Sequence, residues 1–224
     1  EFFWRFFSML SKFSRCMYTR FFAALSPAKK IAYLAVFIAL GVVMNSFLEI
    51  KLSGSNRITF TYFVCFFAGF LMGPLPGFAV GFVGDAIGFL LVPQDIYWFF
   101  GVTLGLIGVI SGIARKLPLK GRKGIYLKTL IAFAASYLLI TCLLNSLVNY
   151  SYMCLFIWKA TKKTFWVYLV GRLTIQSVVF AINAVACALV VGVISSMRSL
   201  RFFEAELRDA SVGERGETPA PKTF

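Results

Sequence analysis

Residues Phe66 to Gly112 limit the folds open to this chain more than any other stretch. They are almost wholly apolar, yet carry one carboxylate set inside an apolar run, Asp85, and two sets of glycines at one spacing. Gly77, Gly81, Gly84 and Gly88 step by four, three and four residues, and Gly101, Gly105, Gly108 and Gly112 repeat those steps. At that spacing each set lines one face of a helix. Glycine inside a helix costs about 1 kcal/mol relative to alanine, so eight of them in two helices require a packing reason. Close helix approach in lipid, where small residues let backbones touch, supplies one.

The rest of the composition agrees. A hydrophobic content of 59% over 224 residues and a mean hydropathy of +0.81 exceed what a soluble domain carries. One integral membrane domain is expected. The formal charge of +14 does not indicate nucleic acid, because Lys and Arg gather between apolar runs and in the tails, as orientation signals and anionic-lipid contacts do. The five cysteines show no paired spacing and are read as small packing residues. With no histidine in the chain, the commonest metal ligand and the commonest general base are both missing. No metal site and no intrinsic cofactor is expected. No cleavable signal pattern is visible, and the numbering, which opens on Glu1, is read as starting part-way into a gene product.

In chain order, residues 1–25 form a basic amphipathic helix suited to the membrane interface, with Arg5, Lys12 and Arg15 on one side and Phe2, Phe6, Leu10 and Phe13 among the rest. Ser26-Pro27 breaks it. Residues 26–197 form an all-α membrane domain with six transmembrane helices. The spans are 29–48, 58–72, 78–92, 97–113, 126–150 and 165–194. Residues 49–57 read as a polar loop, GPLPG at 73–77 as a tight turn, and residues 115–128 as a basic loop. From residue 198 the chain is a charged and largely disordered tail. Six spans place both termini on one side, and Lys29, Lys30, the 115–128 loop, Arg198 and Arg201 make that side cytoplasmic. Lys159, Lys162 and Lys163 fall outside under this scheme and count against it.

Charges inside spans are functional candidates by default, at about 2.5–3.5 kcal/mol each on insertion scales. Asp85 and Arg172 are the two. In the six-span scheme both lie about 10 Å from the outer boundary, in one layer with Asn145 and Thr103, with Gln176 one turn below Arg172. Walled by Phe60, Tyr62, Phe99 and Phe100, these residues form a polar cup open to the outside. It suits a flat heteroaromatic ligand bearing carboxylates. The plainer alternative is an Asp85–Arg172 ion pair that only joins two helices. Asn145 and Thr103 also suit interhelical hydrogen bonds, and Asn183 suits packing.

In the first span, Ala35 and Ala39 form A-x-x-x-A. The order SPAKKIAYLAVFIALGVVMNSFLEI, ITFTYF, AGFLMGPLPGFAVGFVGDAIGFL, GVTLGLIGVISG and FWVYLVGRLTIQSVVFAINA resembles the folate-family S component of energy-coupling factor (ECF) vitamin transporters. The block from Gly73 through Asp85 to Gly88 is its most specific part. The resemblance implies a substrate-binding subunit of an ABC-type importer in the bacterial cytoplasmic membrane, capturing folate or another vitamin on the outer side. It also implies docking through the Ala35 and Ala39 face onto a transmembrane T component coupled to two cytoplasmic ATPases. Smooth faces on the first three spans, Gly77 and Gly81 among them, suit reversible docking. No P-loop occurs in the chain, so ATP hydrolysis falls to partners and the chain itself is not an enzyme. Competing readings are an S component for a pterin-like or deazapurine precursor, a membrane enzyme lacking the usual catalytic groups, and a non-catalytic scaffold or sensor.

Overall fold

The computed structural model describes residues 17–46, 50–53, 56–58, 60–93, 97, 99–119, 121–157 and 164–196. The leader 1–16, Trp98, Trp158, Lys159, Lys162, Lys163 and the tail from 197 lie outside these residues. The order is α1 (Arg20–Ala23), α2 (Pro27–Ser46), β1 (Ile50–Ser53), β2 (Asn56–Ile58), α3 (Thr61–Met72), α4 (Pro74–Leu91), α5 (Phe100–Ala114), α6 (Gly121–Ala135), a π-helical segment (Ser136–Leu144), α7 (Asn145–Tyr152), a second π segment (Met153–Ile157) and α8 (Phe165–Ser196).

Helices dominate, and among the described residues four are long and apolar enough to cross a membrane: Pro27–Ser46, Pro74–Leu91, Lys123–Phe156 and Phe165–Ile194. Two of the six expected spans are shorter. α3 has 12 residues, about 18 Å at 1.5 Å per residue, and α5 has 15, about 22 Å, both less than the roughly 30 Å of a hydrocarbon core.

The stretch 49–57, read as a loop, contains a two-stranded antiparallel hairpin that pairs Ile50 with Ile58 and Lys51 with Arg57. Short connecting backbone satisfies its own N–H and C=O groups this way. The basic loop is also shorter than expected, because the helix begins at Gly121 and takes up Lys123 and Lys128. GPLPG is not a five-residue turn. Only Gly73 separates α3 from α4, and Pro74 opens α4, where its missing N–H is no loss. Gly73 adopts φ +119°, a conformation open to glycine, and a Cβ there would lie 2.6 Å from the Met17 carbonyl oxygen.

α3 is the centre of the bundle. Eleven of its twelve residues are buried, and Phe66 stacks on Phe133 with ring centroids 4.2 Å apart. A helix placed this deep needs partners for its terminal backbone groups, and residues remote in sequence provide them. At its start the Phe63 amide donates to Asn183 Oδ1 at 3.2 Å. At its end Arg115 donates to the Phe70 carbonyl at 2.8 Å, the Thr19 hydroxyl to that of Leu71 at 2.7 Å, and the Thr19 amide to that of Met72 at 3.0 Å. The Arg115 cation also suits the negative end of the helix dipole.

The glycine faces divide between two neighbours. On Gly81 a Cβ would fall 2.6 Å from the Gly105 nitrogen, and on Gly108 it would fall 2.5 Å from the Gly77 carbonyl, so α4 and α5 touch backbone to backbone. Gly84 and Gly88 instead face α2, where a Cβ would lie 3.7 Å from the Ile38 carbonyl oxygen and 3.0 Å from the Ser46 hydroxyl respectively. The four glycines of α4 share one face about 60° wide, and the neighbour that fills it changes along the length of the helix.

Candidate functional site

Tyr168, Arg172 and Gln176 recur every four residues on α8, which sets them on one stripe facing the bundle. The Arg172 guanidinium donates through Nη1 to the Tyr168 hydroxyl at 3.0 Å. Its Nε is buried and meets no partner, and the side chain is only 4% exposed. One turn further on, Gln176 Oε1 accepts from the Tyr62 hydroxyl at 3.5 Å, a long bond. Asn145, the first residue of α7, donates to the same hydroxyl at 3.3 Å and accepts from Asn149 at 3.1 Å. Tyr62, Asn145, Arg172 and Gln176, brought in from α3, α7 and α8, are thus one buried cluster. Phe180 packs against the Tyr62 ring at 5.1 Å, and Tyr150 packs against Tyr168 at 5.7 Å.

Asp85 belongs to a second cluster. Its Oδ1 accepts from Asn45 Nδ2 at 3.2 Å, and Asn45 Oδ1 accepts from the Thr61 hydroxyl at 3.4 Å. From the segment between α4 and α5, the Tyr97 hydroxyl approaches Asp85 without closing a well-formed hydrogen bond. Gly101 keeps room for the approach, since a Cβ there would lie 2.6 Å from the Tyr97 oxygen and 3.2 Å from Asp85 Oδ2.

The plainer alternative, an Asp85–Arg172 ion pair, does not form in this arrangement. Among the described residues Asp85 is held by Asn45 and Arg172 by Tyr168, and no salt bridge joins them. α3 stands between the clusters and serves each with one residue. The remaining wall residues are dispersed. Phe99 is 59% exposed, Phe60 is half-buried at the start of α3, and Phe100 packs on Tyr152 at 5.7 Å. Thr103 is buried, but its hydroxyl donates to the Phe100 carbonyl at 2.7 Å, so its one proton is committed within its own helix.

Ala35 and Ala39 lie exposed on α2, on a face shared with Ile31, Val36 and Leu40. Gly77 and Gly81, expected beside them as docking positions, are buried against α3 and α5 and present no free face. Asn45, Thr61, Tyr97, Tyr168 and Asn149 went unnoticed in the sequence. Asn45 carried a usable signal, a polar amide inside an apolar span. The others are common residues whose partners only the fold supplies. No group of three or more His, Cys, Asp or Glu side chains able to hold a metal comes together among the described residues.

Residues 26–194 match the family described as ECF-type riboflavin transporter, S component. The chain belongs to this family of ECF-type S components. As an S component it is an integral membrane protein of a transport system rather than an enzyme. It is similar to the folate transporter FolT of Clostridium novyi (strain NT), 30% identical over 156 residues that cover 67% of this chain and 81% of that relative. It is 28% identical over 78 residues to a UPF0397 protein of Streptococcus thermophilus (strain ATCC BAA-491 / LMD-9), of which it spans 43%. Among solved structures it resembles FolT bound with folic acid, with a TM-score of 0.57 and 25% identity, covering 73% of this chain and 93% of that one.

Proposed function

We propose that this S component captures folate from the outer side of the bacterial cytoplasmic membrane and delivers it for uptake. The observation that carries the reading is the Arg172 guanidinium, buried among Tyr62, Asn145 and Gln176 with its Nε unpartnered. An uncompensated buried charge is strongly unfavourable. A ligand carboxylate resolves it, and guanidinium is the cation best shaped to bind one. Folate bears carboxylates at one end and a ring with N–H donors at the other, and Asp85 is assigned to accept from the ring. The fold shared with FolT bound with folic acid supports this choice. In this reading α3 and α5 complete six membrane-embedded helices, with both termini cytoplasmic.

Uptake is assigned to a transmembrane T component and two cytoplasmic ATPases, with the Ala35 and Ala39 face of α2 as the docking surface. Small exposed side chains let a partner helix approach closely.

Riboflavin is the second reading, favoured by the description of the family matched over residues 26–194. The two ligands differ where Arg172 matters, because riboflavin has no carboxylate. Mass spectrometry of the compound that co-purifies with the detergent-solubilised protein, followed by a tryptophan-quenching titration with it, decides between them. Recovery of neither compound, with no quenching by either, would reject both readings.

A further inference from the structure

The helix from Gly121 to Ile157 is continuous, but nine of its residues, Ser136–Leu144, are π-helical. Wider i→i+5 turns advance by roughly 80° per residue in place of 100°. In an unbroken α-helix Asn145, thirteen residues beyond the buried Ala132, would point roughly 220° away from it. Nine π residues remove roughly 180° of that rotation and return Asn145 to the buried side. The π segment is therefore what brings Asn145 to Tyr62.

The same segment leaves polar atoms without partners. Ser136 and Thr141 are fully buried, and neither hydroxyl has a hydrogen bond. In the α-helical parts of this chain such hydroxyls fold back onto the carbonyl four residues earlier, as Thr129 does on Ile125 at 3.0 Å and Ser177 on Leu173 at 2.7 Å. Ser146, just past the π segment, reaches five residues back, to the Thr141 carbonyl at 2.9 Å. Thr141, inside the wide turns, has no such bond. A buried unpaired hydroxyl favours any rearrangement that pairs it.

We propose that Ser136–Leu144 is a register switch that positions Asn145. In the π register Asn145 meets Tyr62 while two hydroxyls stay unpaired. Conversion to the α register pairs the hydroxyls with carbonyls of their own helix and swings Asn145 about half a turn off Tyr62. A ligand held at Asn145 stabilises the π register, and loss of that register weakens the site. The link to ligand rests on the proposed folate site, whereas the two registers do not.

The test places spin labels at Leu147 and Thr174, both exposed, through an unnatural amino acid that leaves the cysteines intact. Distances are measured on the full chain in lipid nanodiscs. Two distance populations are expected without ligand, and one with folate. Thr141→Val removes a hydroxyl that the α register would pair. It is expected to shift the ligand-free protein to the folate-bound distance and to tighten folate binding about threefold or more. Ser136→Ala acts on the other hydroxyl and is expected to move the populations the same way. One unchanging distance in wild type and in both variants would overturn the switch. Two populations that respond to Thr141→Val but not to folate would keep the switch and reject the folate site.

Discussion

Thr61 and Tyr62 are consecutive in the chain and serve different polar clusters. Thr61 donates to Asn45, which holds Asp85, and Tyr62 bonds to Gln176 and Asn145 beside Arg172. Consecutive residues of a helix point about 100° apart, so the first turn of α3 separates an acidic site from a basic one with nothing but its own backbone. Asn183 anchors α3 at one end, and Arg115 and Thr19 anchor it at the other.

Arg172→Ala is expected to weaken folate binding by well over tenfold, while expression and thermal stability in detergent stay near wild type. Arg172→Lys is not expected to restore affinity, because an ammonium cannot reproduce the planar donor fork. Tryptophan-quenching titrations measure both. Unchanged affinity in Arg172→Ala would remove this residue from the site.

Replacing Ala35 with Trp, or Ala39 with Leu, is expected to abolish folate uptake by the assembled transporter and to leave binding by the isolated protein intact. A bulky side chain on the exposed face of α2 holds a partner helix away. Retained uptake in proteoliposomes would reject the docking role.

The glycines make a graded prediction. Gly81→Ala puts a methyl 2.6 Å from a backbone nitrogen of α5, which cannot move aside as a side chain can. It is expected to lower the melting temperature by several degrees, in keeping with overpacking costs of roughly 1–3 kcal/mol. Gly84→Ala meets only ordinary contacts at 3.7 Å and 4.0 Å and is expected to melt like wild type. Thermal unfolding of the two variants side by side checks the contrast.

Arg115→Ala removes the guanidinium donor to the Phe70 carbonyl at the C-terminal end of the buried α3. A loss of roughly 1–3 kcal/mol is expected. Folate affinity should hold, since the residue lies at the opposite end of α3 from Tyr62. Denaturant unfolding together with a binding titration separates these effects, and a loss of affinity without a loss of stability would contradict this assignment.

The membrane class, the helical hairpin about Gly73 and the four long apolar helices were legible in the amino-acid sequence. Each follows from local composition and a 3.6-residue period. So did the stripe of Arg172 and Gln176 and the small-residue face of Ala35 and Ala39, because four-residue spacing sets a helix face wherever the helix lies. The strands at 50–53 and 56–58 and the shortness of α3 did not show in that pattern, since an apolar run records burial and not where the backbone leaves the helix.

Tertiary structure alone decided the partners. Periodicity says that Gly77 and Gly81 share a face, but only the packing shows that α3 and α5 already fill it. Intramembrane position marks Asp85 and Arg172 as costly, while the side chains that answer each charge come from helices far away in the chain. Asn145 shows the limit most clearly, because a π segment turns it by about half a revolution from where an α-helical count would put it. Spacing along the chain determines faces within one regular helix, whereas contacts between helices depend on register, depth and rotation that no single segment encodes.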